Sequence, residues 1–304
     1  MGKIFIAGLM NIETTVAIPG FPLEYFPGYF PFYGLYTSAS GVGWNVTKAL
    51  TTLGNQVEFT SLIADDDNGV LARKTLSDEG ISDHLVLDQL DATAQSVILY
   101  APDGRRQIHV DLKNIQDQEY PIDLVEKPIR NCDLAVICNI NFARPFLKLT
   151  RDAGKWIATD VHAISDLDDD YNQDYMAHAQ ILFVSDETLP DLPDRVARDL
   201  MKRYQSEIIV VGLGGNGALM AVRKDDFVGR FDPVFTRPVV NTIGAGDALF
   251  SSFLDGFLRT KDPYNALRRA MVFASYKIGE KGAAEGFLSR EELDEWVSKV
   301  ENRA

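Results

Sequence analysis

The segment Asn241-Thr242-Ile243-Gly244-Ala245-Gly246-Asp247-Ala248-Leu249-Phe250 combines residue types that can hold an anion and move a proton. Leu249, Phe250, Phe253, Leu254, Phe257 and Leu258 recur at i, i+3 and i+4, which predicts a buried helix opening near Gly244. The N–H groups of Gly244, Ala245 and Gly246 would then point from the positive end of a helix dipole, with little side chain to keep a phosphoryl group away. Asp247, in the first turn, could take a proton from an attacking hydroxyl, a role worth about 10²- to 10⁴-fold in rate. Taken alone, the segment equally allows a close-packing device in which Asp247 only complements the dipole.

Gly212-Leu213-Gly214-Gly215-Asn216-Gly217 follows an apolar strand and satisfies the G-x-G-x-x-G spacing of dinucleotide-binding folds. That fingerprint needs a helix at its third glycine. Ala218 to Arg223 is short and apolar, and Lys224, Asp225 and Asp226 read as a turn. A strand, a glycine turn and a returning strand are predicted instead, which could still lie beside a nucleotide.

The elements that must position these residues alternate. Lys3 to Gly8, Val57 to Ala64, Leu134 to Cys138, Trp156 to Val161, Ile181 to Val184 and Ile208 to Val211 read as buried strands. Helical periodicity lies between them, at Val42, Val46, Ala49, Leu50 and Leu53, and over Asp67 to Glu79. This rhythm predicts an α/β fold with a mostly parallel sheet covered on both faces. Two stretches break it. Thr14 to Ser40 is rich in Pro, Gly and aromatics, and Gln95 to Tyr100 and Gln107 to Asp111 flank the turn Pro102-Asp103-Gly104. They predict a small β flap attached to the main sheet.

The chain of 304 residues carries 30 Lys and Arg against 44 Asp and Glu, a net charge of −14. Such a surface argues against nucleic acid or an anionic membrane as main partner, but not against a small anion at a helix N-terminus. Cys132 and Cys138 are too few for a disulfide framework and read as buried thiols in a reducing cytoplasm. No apolar run is long enough to span a membrane, and Met1 to Met10 reads as a first strand rather than a signal peptide.

Ser40-Gly41-Val42-Gly43-Trp44-Asn45, followed by Ala49, Leu50, Leu53 and Gly54, precedes the Gly244-Ala245-Gly246-Asp247 segment in the chain. Together the two motifs resemble the ribokinase-like (PfkB) family of carbohydrate kinases, from Ile4 to about Phe287. The resemblance implies a single ribokinase-like domain over 1–304, with a small β lid inserted at about 12–38 and 90–112. It implies ATP-dependent, magnesium-assisted phosphorylation of a hydroxyl on a small sugar or sugar-like substrate. Asp247 would be the base, and the amides of Gly244, Ala245 and Gly246 the anion hole. Gly41 and Gly43 would bring backbone amides to the substrate, with Asn45, Asn11 and Glu13 on its hydroxyls.

By the same resemblance, Gly212, Gly214, Gly217, Asn241 and Thr242 lie beside the nucleotide phosphates. Lys277, Gly279, Gly282 and Ala283 border adenine, and backbone carbonyls in that region and at Asn241 and Ile243 hold potassium. The chain departs from the family pattern at Glu13 and Asn241, where Asp is commoner, and at Ser40, which replaces a glycine. Its Asn-x-x-Glu element is reduced to Ser185-Asp186-Glu187-Thr188, leaving Glu187 or Asp186 for the metal.

Open lid edges imply a possible homodimer through the lid. Tyr25, Phe26, Tyr29, Phe30, Phe32 and Tyr33 would bury that interface or line the pocket. Two other readings stay open: a nucleoside kinase, with Trp44 or the lid aromatics stacking on a base, and a catalytically silent sugar or nucleotide sensor; an oxidoreductase ranks third. His84, His109, His162 and His178 are expected to be ordinary histidines. Asp65-Asp66-Asp67 reads as a helix N-terminal cluster and Asp168-Asp169-Asp170 as a solvated loop. Arg105, Arg106 and Arg144 are expected to face water unless the substrate is phosphorylated.

Overall fold

The computed structural model describes residues 2–302. Its strands are β1 (Lys3–Ala7), β2 (Asn11–Ala17), β3 (Leu35–Ser40), β4 (Gln56–Ile63), β5 (Val86–Asp88), β6 (Gln95–Tyr100), β7 (Arg106–Asp111), β8 (Leu134–Ile137), β9 (Trp156–Ala163), β10 (Ile181–Ser185), β11 (Ile208–Gly212), β12 (Ala218–Val222) and β13 (Phe227–Phe231). Its α-helices are α1 (Val42–Thr52), α2 (Asp67–Asp78), α3 (Ile122–Asn131), α4 (Arg144–Asp152), α5 (Gln173–His178), α6 (Pro193–Arg203), α7 (Ala245–Thr260), α8 (Pro263–Lys277) and α9 (Arg290–Glu301). Among the described residues no helix is long and apolar enough to cross a membrane.

Strands buried on both faces have no polar side to alternate, so they read as apolar runs. In β1, Ile4 and Ile6 enter one core while Phe5 and Ala7 enter the other. The first core packs the sheet against α1, α2, α7 and α8, and the second against α3 to α6. The main sheet runs β13-β12-β11-β10-β9-β8-β1-β4-β5. It is parallel from β11 to β5, while β12 and β13 return antiparallel. The glycine segment after β11 is therefore a turn between antiparallel strands, with no helix after it.

The chain leaves β1 toward β4 and β5 on one side, then returns to β8 on the other side of β1. Such a reversal opens a crevice at the carboxyl ends of the two central strands, where ligands of open α/β sheets bind. A second, four-stranded sheet in the order β3-β2-β6-β7 leads directly out of β1. The aromatic stretch between β2 and β3 is irregular, with Tyr25, Phe32 and Tyr33 about nine-tenths exposed.

Candidate active site

β1 ends at Ala7, and α1 must start immediately beside it for its side chains to reach the crevice. A Cβ on Gly43 would lie 2.5 Å from the backbone carbon of Gly8, so this contact is made backbone to backbone. Gly41 (φ 98) likewise abuts the Leu9 carbonyl. The glycines that were expected to offer amides to substrate thus have a packing role that holds α1 against the strand end. Trp44, considered above as a stacking surface for a base, is 1% exposed in the core and cannot serve.

The close approach brings Asn45 on α1 to Asp247 on α7, with the Asn45 side-chain N–H donating to Asp247 Oδ2 at 2.7 Å. Both are buried. Burial raises the Asp247 carboxyl above the ordinary range, and Asp160 adds to this; the Asn45 bond, the nearby His162 ring and the Lys277 ammonium oppose it. Glu13 is also buried, with Ser40 Oγ donating to its Oε2 at 2.9 Å. Its carboxyl is raised chiefly by burial and also by Asp247, while Ser40 and Lys277 pull it down. Asn11, two residues earlier on the same face of β2, donates to Ser96 Oγ at 3.1 Å.

Each of these three residues keeps one buried oxygen without a protein partner: Asn11 Oδ1, Glu13 Oε1 and Asn45 Oδ1. Buried acceptors left unpaired are costly, and all three want a donor.

The candidate anion site lies where α7 begins. Gly244 takes a left-handed conformation (φ 72), and a Cβ there would lie 2.5 Å from the Ala283 carbonyl, so only glycine lets the 281–284 loop close against the turn. No side chain caps the helix. The expected set of amides needs one correction: Ala245 N–H donates to the Thr242 carbonyl at 3.2 Å and is not free. Among the described residues the amides of Gly244, Gly246 and Asp247 have no protein acceptor. Gly246 faces open space, the nearest atom to a Cβ there being Asp160 Oδ2 at 3.9 Å.

Asp160 and His162 were missed or set aside in the sequence. Asp160, on β9, accepts from the His162 backbone N–H at 2.8 Å and is buried. Both groups act electrostatically on Asp247. The available signal was position: they sit at the carboxyl end of a buried strand, where such folds place ligands. Cys138 follows β8 at the same crevice, and burial beside Asp247 and Asp160 pushes its thiol up and keeps it unreactive.

Arg106, expected to face water, instead reaches from β7 to Thr242 Oγ1 and Glu187 Oε1, both at 3.1 Å. A cleft of about 870 Å³ lies there, lined by Phe21, Arg105, Arg106, Gln107, Glu187 and Thr242 among others. Ile98 and Tyr100 of β6 pack on Ile243 and Ala283, and Tyr36 of β3 donates its hydroxyl to Glu285. The small sheet therefore rests against Ile243 and the 283–285 loop, beside the start of α7. Gly212, Gly214 and Gly217 lie at the end of β11 and in the turn after it, where the Gly212 carbonyl accepts from the N–H of Asp186, the neighbour of Glu187, at 3.0 Å. Gly279 abuts the Arg237 guanidinium and Gly282 abuts Tyr36, so both glycines make room for side chains.

Lys277 requires the other correction. It was expected beside adenine, yet it is fully buried and its ammonium donates to the Ile243 carbonyl. The implied potassium ion does not fit at the Ile243 carbonyl, which already accepts from the Lys277 ammonium. For magnesium the candidate carboxylate is only partly engaged, Glu187 Oε1 accepting from Arg106 at 3.1 Å. No cluster of three metal-ligating side chains exists among the described residues, but an ion held mainly by nucleotide phosphates needs only one or two carboxylates. Glu187, more than half exposed at the cleft, can supply one.

A family model described as pfkB family carbohydrate kinase matches residues 35–290. The acarbose 7(IV)-phosphotransferase of Actinoplanes sp. is 25% identical over 292 residues, covering 95% of this chain and 96% of that protein. An ATP-dependent ribose-1-phosphate kinase of Halopiger xanaduensis is 26% identical over 286 residues, covering 93% and 94%. The solved structure of the microbiome-derived acarbose kinase Mak1 superposes with a TM-score of 0.87 at 25% identity, covering 98% of this chain and 99% of that one.

Proposed function

Because this chain belongs to the pfkB family of carbohydrate kinases, we propose that its crevice carries out ATP-dependent phosphorylation of a sugar hydroxyl with Asp247 as general base. The observation that carries the reading is the set of three unpaired buried acceptors, Asn11 Oδ1, Glu13 Oε1 and Asn45 Oδ1. A ligand rich in O–H donors is what such a set recognises, since each hydroxyl satisfies an oxygen that otherwise has none.

In the transfer, the acceptor hydroxyl oxygen attacks the γ-phosphorus. A new O–P bond forms as the bond to the β–γ bridging oxygen breaks, the hydroxyl proton passes to the Asp247 carboxylate, and ADP leaves. The carboxyl's raised affinity for protons brings it nearer the working pH of a base, while Asn45 orients it. The free amides of Gly244, Gly246 and Asp247 hold the phosphoryl oxygens at the α7 N-terminus. Arg106 lies at the cleft mouth and draws the small sheet over the phosphates, with the turn at Gly212 to Gly217 alongside. Magnesium, when bound at Glu187 and the phosphates, supplies charge neutralisation.

The exposed aromatics between β2 and β3 give an acceptor longer than one ring apolar faces to lie on. Two of the relatives act, by name, on acarbose. We extend the proposal to a cytoplasmic enzyme that pairs as a homodimer through β7, whose Ile108 and Val110 are about half exposed. The test is ADP release from magnesium ATP across pentoses, hexoses, phosphosugars, oligosaccharides including acarbose, and nucleosides. Turnover confined to sugars and abolished by Asp247→Asn supports the reading. Preference for nucleosides, or turnover that survives Asp247→Asn, overturns it.

A further inference from the structure

We propose that Lys277 is a built-in cation of the phosphoryl-transfer site, a positioning residue that does internally what an exchangeable monovalent ion would do. The inference rests on the reading of α7 as the phosphoryl site. Lys277 ends α8, is among the largest fully buried side chains, and donates its ammonium to the Ile243 carbonyl. An ammonium out of water is costly unless charges and acceptors surround it. The charges near enough to act on it are Asp247 from α7 and Glu13 from β2, with the ion pair of Glu280 and Arg237 beyond the end of α8. A carbonyl in direct contact with the ammonium, and the buried carboxylates of Asp247 and Glu13 within electrostatic reach of it, make this a place for a cation by its chemistry, and the chain fills it with its own side chain.

The position has a mechanical consequence. In a helix that continued backward, Asp247 N–H would donate to the carbonyl four residues earlier, that of Ile243. That carbonyl faces Lys277 instead, and the Asp247 amide is left for the phosphoryl group. The same ammonium offsets the charges of Glu13 and Asp247, the latter close enough to raise the proton affinity of Glu13. Arginine would not replace it, because a planar fork is larger than the enclosed space around a single carbonyl.

The experiment compares the full-length protein with Lys277→Ala and Lys277→Met in potassium, sodium and tetramethylammonium chloride at constant ionic strength, reading both ADP release and melting temperature. The wild-type rate and melting temperature are expected not to respond to potassium beyond the response to sodium. Lys277→Ala, which vacates the place of the ammonium, is expected to lose about 10²-fold in rate in tetramethylammonium. Potassium or methylamine should restore at least a tenth of that loss and raise its melting temperature, while Lys277→Met, which fills the space without charge, should respond to neither. Potassium activation of the wild type would overturn the proposal, as would a folded Lys277→Ala that keeps its rate or that no cation rescues. If the wild type transfers phosphate to no acceptor, the kinase reading fails separately. The melting response of Lys277→Ala still decides whether the residue stands in a cation site.

Discussion

Gly246→Ala separates the chemistry of the α7 N-terminus from the stability of the fold. A methyl group at this position meets nothing closer than Asp160 Oδ2 at 3.9 Å, and the residue is helical, so the backbone accepts it without strain. Alanine is favoured over glycine in a helix by about 0.5–1 kcal/mol, which for a chain of this size corresponds to a melting temperature about 1–3 °C higher. The same methyl would project into the open space beside the free Gly246 amide, 3.9 Å from Asp160 Oδ2, which the proposed function assigns to the transferring phosphoryl group. Loss of one such donor costs about 10²- to 10³-fold in kcat, or about 3–4 kcal/mol. Gly244→Ala is the contrast: its φ of 72 and a Cβ 2.5 Å from the Ala283 carbonyl should destabilise the fold by about 1–3 kcal/mol. Thermal denaturation beside coupled ADP-release kinetics reads both quantities. A Gly246→Ala protein of unchanged or higher melting temperature with wild-type kcat/KM would refute the reasoning, since no phosphoryl group could then rest on that amide.

The other expectations concern charge. Asp247→Asn should lower kcat by at least about 10²-fold while nucleotide affinity, read by calorimetry, is kept. Glu13→Gln should raise the KM for the acceptor. Because burial raises the Glu13 carboxyl, the folded state holds its proton to higher pH than the unfolded state. The cost of ionising Glu13 is therefore present above its folded pKa, and the variant should be at least as stable as the wild type at neutral pH. The Lys277 ammonium is pulled down to about 8, so activity should fall as pH rises through about 8. Stability should move the other way, rising between about 8 and 10.5, where the unfolded chain keeps the proton and the folded one does not. Arg106→Ala should raise the KM for ATP and reduce kcat together, because it releases β7 from Thr242 and Glu187; an unchanged KM for ATP in the same assay would remove Arg106 from the phosphate side.

What the sequence by itself determined was local and periodic. Apolar runs such as Leu134–Ile137 and Ile208–Gly212 required strands buried on both faces, and the spacing of Phe250, Phe253 and Phe257 required a helix starting at Gly244. The absence of a helix after Gly217 was equally legible, because Lys224 to Asp226 left no room for one. Asp247 and Asn45 stood out by residue type within glycine-rich motifs.

Only the tertiary structure decided which atoms meet. Asn45 and Asp247 are 202 residues apart in the chain and 2.7 Å apart in the fold. Nothing periodic in the sequence encodes that distance; it follows from α1 and α7 packing on one face of the same sheet and from Gly43 lying against Gly8. In sequence Lys277 is placed beside adenine by the family resemblance, and Arg106 reads as an ordinary charge after a turn. Their roles arise from enclosure: one is fully buried against the Ile243 carbonyl with Asp247 and Glu13 in electrostatic reach, the other drawn to Thr242 by the small sheet. Burial changes what a charge costs and what it must pair with, and burial belongs to the packed chain rather than to any segment of it.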